Sequence, residues 1–566
     1  NKDEPPAYLW EPLMRWVVYR EGDPAEPAAL DRVAAASAKR AIFLARGDLA
    51  HEADAVNIAA LAAFRSMNKG AHVFVEVTDS ATAPIVKQVG GPGTVALDMP
   101  HLLGMFLCQH LVTPGVERLY RDLLTTSGSE LYSHVFADEA EKAALRAVAS
   151  AGHLRFSDLA RVALTRHNVY LIGVFLGDTE ISRIRYDNVP VDALVPWLNP
   201  YTLPTDDARI AAFGAQDDLV PIDKLRGLIA ICESYLPLSA VARDVTLGTS
   251  LPTSREPPTI PAELDAIADA THMPPIGPQR VALIGASEAL PSMLLELSRY
   301  VSGVDAVLFL SSRGDERVPL ARRLEELGVG FDPMGALPGI DGMHFALERG
   351  GTLHVYTHDG PDLARFAAKI LRTRSPVDAV VFLSEPEGTE QDARTALRIL
   401  RFVRLLEEGK VPHGERLHVL AEFISVDKGA HIQQFVDVRK CGFKTEKDLR
   451  LTLVSTDTIK NYFMVHSAFV PGVTGLYESL LEERGQEIVR LKLQAPEHLK
   501  VTTMRALQKS LLRFGAIAFA VELKDRTMLL APPCDQPLVA AEITSVYVIA
   551  DQPTVAKVAA AYQQRD

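Results

Sequence analysis

"TPGVERLYRDLL" (Thr113–Leu124) and "VPGVTGLYESLL" (Val470–Leu481) are one phrase written twice, 357 positions apart. Pro-Gly-Val, Leu-Tyr and Leu-Leu recur in the same register, and an echo of this length points to a duplicated architecture. The echo runs on upstream. "AIFLARGDLAHEADAVNIAALAAF" from Ala41 parallels "AVVFLSEPEGTEQDARTALRILRF" from Ala379, and "AHVFVEVTD" from Ala71 parallels "LHVLAEFIS" from Leu417. "VVYREGDP" from Val17 parallels "HVYTHDGP" from His354. In each copy, short apolar runs alternate with stretches whose apolar residues recur at three and four. That order predicts parallel strands joined by crossover helices, a Rossmann-like unit.

Beyond the sheet, Asp98 or Asp457 stands at a predicted N-cap before an apolar helix, "MPHLLGMFLCQHLV" or "TIKNYFMVHSAFV". Both helices stop at Pro-Gly, so the repeated phrase reads as the turn and second helix of a helix-turn-helix. A looser third echo pairs "NVYLIGVFL" (from Asn168) and "WLNPYTLPTDDARIAAFG" (from Trp197) with "AIAFAVEL" (from Ala516) and "LLAPPCDQPLVAAEITSVYVIAD" (from Leu529). It predicts a small α+β subdomain ending each copy. The stretch between, with "PIDKLRGLIAICESYL" and then "GTSLPTSREPPTIPAEL", matches neither copy and predicts a helix and a Pro-rich linker. Copy two opens with "RVALIGASEALPSMLLELSRYV" and "AVLFLSSRGDERVPLARRLEELGV", for which copy one has no counterpart. The expectation is therefore a chain that is part of a longer protein.

Composition narrows the class. The 566 residues are 48% apolar and 23% charged, a globular profile with room for two to four domains. A formal charge of −13 argues against a nucleic-acid partner, since binding that backbone needs clustered Lys and Arg. The apolar runs "LIAICESYLPL" and "GAIAFAVEL" are too short to span a bilayer, and no signal peptide is visible. Cys108, Cys232, Cys441 and Cys534 lie far apart with no Cys-x-x-Cys pair, which predicts buried, reduced thiols in an intracellular setting.

A Rossmann unit, a helix-Pro-Gly-helix crossover and a small α+β module, all in tandem, resemble RCK domains, the regulators of conductance on the cytosolic side of ligand-gated ion channels. The wording around "VKQVGGPGTVALDMPHLLGMFLCQHLVTPGVERLYRDLL" is similar to the Castor/Pollux branch. The fold class is then α/β, two tandem Rossmann-like RCK domains. The expected boundaries are 1–125 and 126–215 for the first copy, 216–276 for the linker, and 277–484 and 485–566 for the second. The resemblance implies a homotetramer giving a ring of eight RCK domains, a pore upstream in the same polypeptide, and calcium or another divalent cation, or a nucleotide, as ligand. The alternatives are a peripheral regulatory subunit of a potassium uptake system and an NAD-dependent oxidoreductase on the same fold.

Three sets of residues are candidates. In "IGASEALP" only Gly285 of the dinucleotide glycines is in place, with Ser287 where a second would stand. After the next strand, where an acid would hold ribose, Ser311 is followed by Ser312 and Arg313, and a purely structural turn competes with nucleotide binding. Acids at strand ends form the second set: Glu76, Asp79 and Asp98, with Asp48, Glu52 and Asp54 adjoining, and Glu422, Asp427 and Asp457 in copy two. In a parallel sheet they share one edge and could converge on a hard cation, against the plain reading as helix caps. The third set is the apolar crossover, Leu103, Phe106, Leu107, Pro114 and Tyr120 with Phe463, Pro471 and Tyr477, expected to meet a neighbouring RCK domain. No Walker loop, Gly-x-Ser-x-Gly elbow or His-Glu-x-x-His occurs, and Cys108 with His110 is half a metal site, so no catalytic residue is proposed.

Overall fold

The structure, a computed structural model, describes residues 11–45, 52–113, 115–124, 128–149, 152–179, 194–203, 207–246, 278–311, 320, 322–324, 342–360, 362–384, 391–425, 429, 431–432, 434, 449–483, 485–492 and 499–563. The chain divides into two compact units, residues 1–98 with 187–191 and the remainder.

The first unit carries α1 (Pro27–Asp31), β1 (Arg40–Phe43), α2 (Ala53–Met67), β2 (His72–Val77), α3 (Ala83–Gly90) and β3 (Thr94–Asp98). Its strands form a parallel sheet in the order β1-β2-β3, with Ala41 opposite Val73 and Val75 opposite Ala96. Central β2 is buried along its whole length, and Leu61 and Phe64 of α2 close the core over Val73 and Val75. Asn68 ends α2 by donating to the Ala35 and Ala38 carbonyls while its Oδ1 accepts from the Gly70 and Ala71 amides. The expected strand at Val17 is absent: residues 17–20 are irregular, and Val18 is 70% exposed. Its counterpart in copy two is held between two strands, and no such neighbours occur among the described residues of this unit.

The second unit begins with the first crossover, α4 (Met99–Val112) and α5 (Val116–Leu124). The compact division falls at residue 98, ahead of the crossover, because α4 is apolar all round and packs inside this unit. Then come β4 (Glu130–Val135), α6 (Glu139–Ala149), β5 (His153–Arg155), α7 (Phe156–His167), β6 (Tyr170–Leu176), β7 (Val195–Leu198), α8 (Ala208–Ala212), β8 (Leu219–Pro221), β9 (Leu225–Cys232) and α9 (Tyr235–Thr246). They form an antiparallel sheet β4-β9-β6-β7 and a β5-β8 ribbon. The predicted helix over "PIDKLRGLIAICESYL" is therefore corrected: Leu225–Cys232 is a central strand of the first module, and no linker begins at residue 216. A strand buried on both faces reads as an unbroken apolar run, which periodicity alone does not separate from a helix.

The second Rossmann sheet is built from β10 (Arg280–Ile284), α10 (Leu290–Tyr300), β11 (Asp305–Ser311), β12 (Gly342–Ala346), β13 (Thr352–His358), α11 (Leu363–Leu371), β14 (Val377–Phe382), α12 (Gln391–Glu407), β15 (His413–Phe423) and β16 (Leu449–Ser455). Its order is β12-β13-β11-β10-β14-β15-β16, parallel except for β12. The second crossover is α13 (Thr456–Phe469) and α14 (Val473–Leu481). The last module has β17 (Glu487–Lys492), β18 (Val501–Thr502), α15 (Met504–Leu512), β19 (Ile517–Leu523), β20 (Met528–Leu530), β21 (Leu538–Val539), β22 (Ile543–Ala550) and α16 (Gln552–Gln563). Its sheet β17-β22-β19-β20 and ribbon β18-β21 repeat the first module strand for strand.

The two modules grip each other reciprocally. Asn199 donates to Gln486 Oε1 and to the Gly515 carbonyl, at 2.7 Å each, and Tyr170 donates to the Pro532 carbonyl. Cys108, Cys232 and Cys534 are buried free thiols, while Cys441 lies outside the described residues. No helix among the described residues is long and apolar enough to cross a membrane.

Candidate functional site

The second sheet reverses its strand order between β10 and β14, and in an open parallel sheet the crevice at that point is where ligands bind. Gly285 follows β10 at φ +96°, and a Cβ there would stand 2.6 Å from the Leu383 carbonyl. Only glycine lets the loops after β10 and β14 touch this closely. Glu422, at the end of β15, is buried against the same crevice and accepts the Ser384 amide at 3.1 Å. Burial pushes its carboxyl up to about 7, against the Ser384 amide, the Ser287 hydroxyl and the Lys460 ammonium, with Glu288 adding to the rise. Gly285, Ser287 and Glu422, expected separately as nucleotide and cation residues, thus meet in one place. Ser312, Arg313 and Asp427 lie outside the described residues.

The neighbouring helix end is closed. Pro291 removes one amide from the first turn of α10, and the Met293 amide is bonded to the Ala289 carbonyl. Helix α4 lies against this turn: a Cβ on Gly104 would come 2.5 Å from Ser292 Cβ and 2.6 Å from the Ala289 carbonyl. His101 Nδ1 reaches Ser292 Oγ at 3.2 Å. In a dinucleotide fold this turn receives the pyrophosphate; here α4 covers it.

The other acids serve the backbone. Asp392, in the first turn of α12, takes the Ile424 and Ser425 amides at 2.7 and 3.1 Å. In the first unit Asp54 takes the matching Thr78 and Asp79 amides, at 2.8 and 2.9 Å. Glu76 accepts the Ala45 amide at 2.8 Å, as Glu422 does that of Ser384. Asp79 accepts from the Ala81 amide and Asp98 from Ser80 Oγ, while Glu52 makes no cap bond and Asp48 is outside the described residues. Asp457 is not the cap of α13: Ser455 caps it, accepting from the Thr458 amide, and Asp457 follows in the first turn. Among the described residues no three His, Cys, Asp or Glu side chains form a group that could hold a metal ion. The pair Asp54 and Asp392 was missed as a repeated feature, although their 338-residue separation repeats that of Ala41 and Ala379.

The crossover residues come together as a block inside the second unit. Leu103, Phe106, Leu107, Tyr120, Phe463 and Tyr477 are all buried. Phe106 meets Tyr120 at 5.0 Å between ring centroids, Phe463 meets Tyr477 at 4.8 Å, and Phe106 meets Phe463 edge-on at 6.1 Å. Pro471 accepts from Ser133 Oγ, and Pro114 lies outside the described residues. The neighbouring domain that α4 meets is the second copy of the same chain.

An ionic web holds the turn of the repeated phrase. Glu117 is paired with Arg450 of β16 at 2.5 Å, and its other oxygen accepts the Gly115 amide at 2.8 Å. Tyr547 of β22 donates to the Gly115 carbonyl, while Arg490 and Glu522 pair at 2.6 Å beside it. Burial would raise the Glu117 carboxyl, but Arg450 and His110 hold it down at about 2. His110 is buried, bonded to the Phe106 carbonyl and pushed by burial to about 4, so it is a neutral core residue. Sequence reasoning missed this web because Glu117 and Arg450, and Gly115 and Tyr547, are hundreds of residues apart.

Comparison with known proteins adds three findings. The chain is similar in sequence to the ion channel DMI1 of Medicago truncatula and the ion channel POLLUX of Lotus japonicus, 29% identical over 118 residues with each. It is 27% identical to the ion channel CASTOR of Lotus japonicus over the same length. The matched stretch is 20% of this chain and 13% of DMI1 and POLLUX, so the chain matches only a small part of those relatives. In structure it is similar to the human SLO3 gating ring, with a TM-score of 0.57 at 15% identity, covering 94% of this chain and 91% of that one. The chain shares its fold with that structure. No family model matches the chain.

Proposed function

We propose that this chain is the ligand-sensing gating ring of an ion channel, on the cytosolic face of a membrane, and not an enzyme. The observation that carries the reading is a coincidence: a gating-ring fold over nearly the whole chain, in a sequence whose relatives are ion channels. A ring works by assembly. Four chains would give eight RCK domains, and a ligand would act only through its different affinity for two arrangements of that ring. The ligand reading rests on the crevice of Gly285, Ser287 and Glu422, with a divalent cation such as calcium, or a nucleotide held away from the covered α10 turn, as ligand. Currents recorded from the protein as its gene encodes it, in a planar lipid bilayer, test the channel reading; absence of current would overturn it. Calorimetry of the purified chain with calcium and with NAD tests the ligand. The expected result is heat with one of them that Glu422→Gln abolishes, and no heat with either removes the ligand-sensing part.

A further inference from the structure

A buried carboxyl outside the crevice sits where three parts of the second unit meet. Glu487 opens β17 and is 3% exposed. Gln109 of α4, fully buried, and Tyr300 of α10, 4% exposed, reach it from the first crossover and the second Rossmann domain. Gln552, at the start of α16, donates to its Oε1 at 3.2 Å. Gln109 also donates to the Tyr300 hydroxyl, and Gln109 Oε1 is buried with no hydrogen-bond partner.

No cation stands among the groups that act most on Glu487. Cys108 on α4, Tyr120 on α5 and Tyr300 on α10, each pushed up by burial, and Glu483 after α14 are the titratable groups that interact with it. Arg349 is engaged by Glu483, and Arg299 on α10 by Glu296. An ionised Glu487 would have no counter-charge from these groups, and an ionised carboxylate offers no proton to the orphaned Gln109 oxygen. A protonated one buries no charge.

We propose that Glu487 is a proton-operated latch between the first crossover helix and the last module, closed when protonated and loosened when ionised. This stands apart from the gating-ring reading and concerns the chain alone. Burial raises the Glu487 carboxyl to about 8, with the bonds from Gln552, Tyr300 and Gln109 opposing the rise. The folded value lies above the ordinary carboxyl value of about 4.3, so the latch is intact below that and is lost as pH climbs to about 8.

Amide hydrogen exchange on the full chain, corrected for the intrinsic rate, tests this at residues 105–112 of α4. Opening of this segment should rise up to about tenfold per pH unit between about pH 6 and 8 and level off above. Glu487→Gln, which stays neutral, should hold the opening level. Tyr300→Phe removes a donor to the carboxylate and should move the levelling point to higher pH. A wild-type segment whose opening is flat with pH, a Glu487→Gln chain that follows wild type, or a Tyr300→Phe chain with an unmoved levelling point overturns the latch.

Discussion

Gly104 and Gly285 show how single residues set this molecule. At Gly104 the backbones of α4 and α10 touch, and the space a side chain would fill is already held by Ser292 and the Ala289 carbonyl. Gly104→Val should lower unfolding free energy by about 1–3 kcal/mol, read as a shift in denaturant midpoint. An unchanged midpoint would mean that the two helices are not in contact. Gly285 combines positive φ with the Leu383 carbonyl, so Gly285→Ala carries both strain and a clash. Asp392 makes a third test. Its two oxygens take two backbone amides, and Asp392→Asn sets an amide against the Ser425 N–H, costing about 1–3 kcal/mol in the same measurement.

At the scale of elements, the crossover turn joins the first copy to the second through Glu117 and Arg450. Because the Glu117 carboxyl is held at about 2, its contribution is present above the ordinary carboxyl value of about 4.3. It is lost as pH falls from there toward 2. Glu117→Gln should therefore weaken the chain at neutral pH and flatten its stability between about pH 4.5 and 2, measured by thermal melts across that range. A variant that loses stability with acid as steeply as wild type would contradict this. The elements themselves were largely legible. The repeat placed α2, β2, β14, α12 and both crossover helices in order, because amphipathic period and Pro-Gly stops are local signals. What failed was non-local. Val17–Tyr19 has strand composition but no described strand beside it, and Leu225–Cys232 looked helical because both faces of the strand are covered. The candidate site was legible in part: Gly285 and Glu422 were singled out, but their meeting depends on strand order, which no single segment carries.

At the scale of the whole molecule, the duplication accounts for the plan. Each copy ends in a crossover and a module, and within the second unit the first crossover packs on the second copy while the two modules interlock. The aromatic pairs Phe106–Tyr120 and Phe463–Tyr477 repeat at one spacing and touch through Phe106 and Phe463. In the proposed ring such a chain would supply two segments at once, and four chains would close a ring of eight. Closed rings of identical chains are the ordinary outcome when head-to-tail contacts have the right rotation. Light scattering of the purified chain over a range of concentrations tests this most directly. A gating ring predicts a mass rising toward four times the 61.8 kDa of one chain. A mass that stays at one chain at every concentration would contradict it.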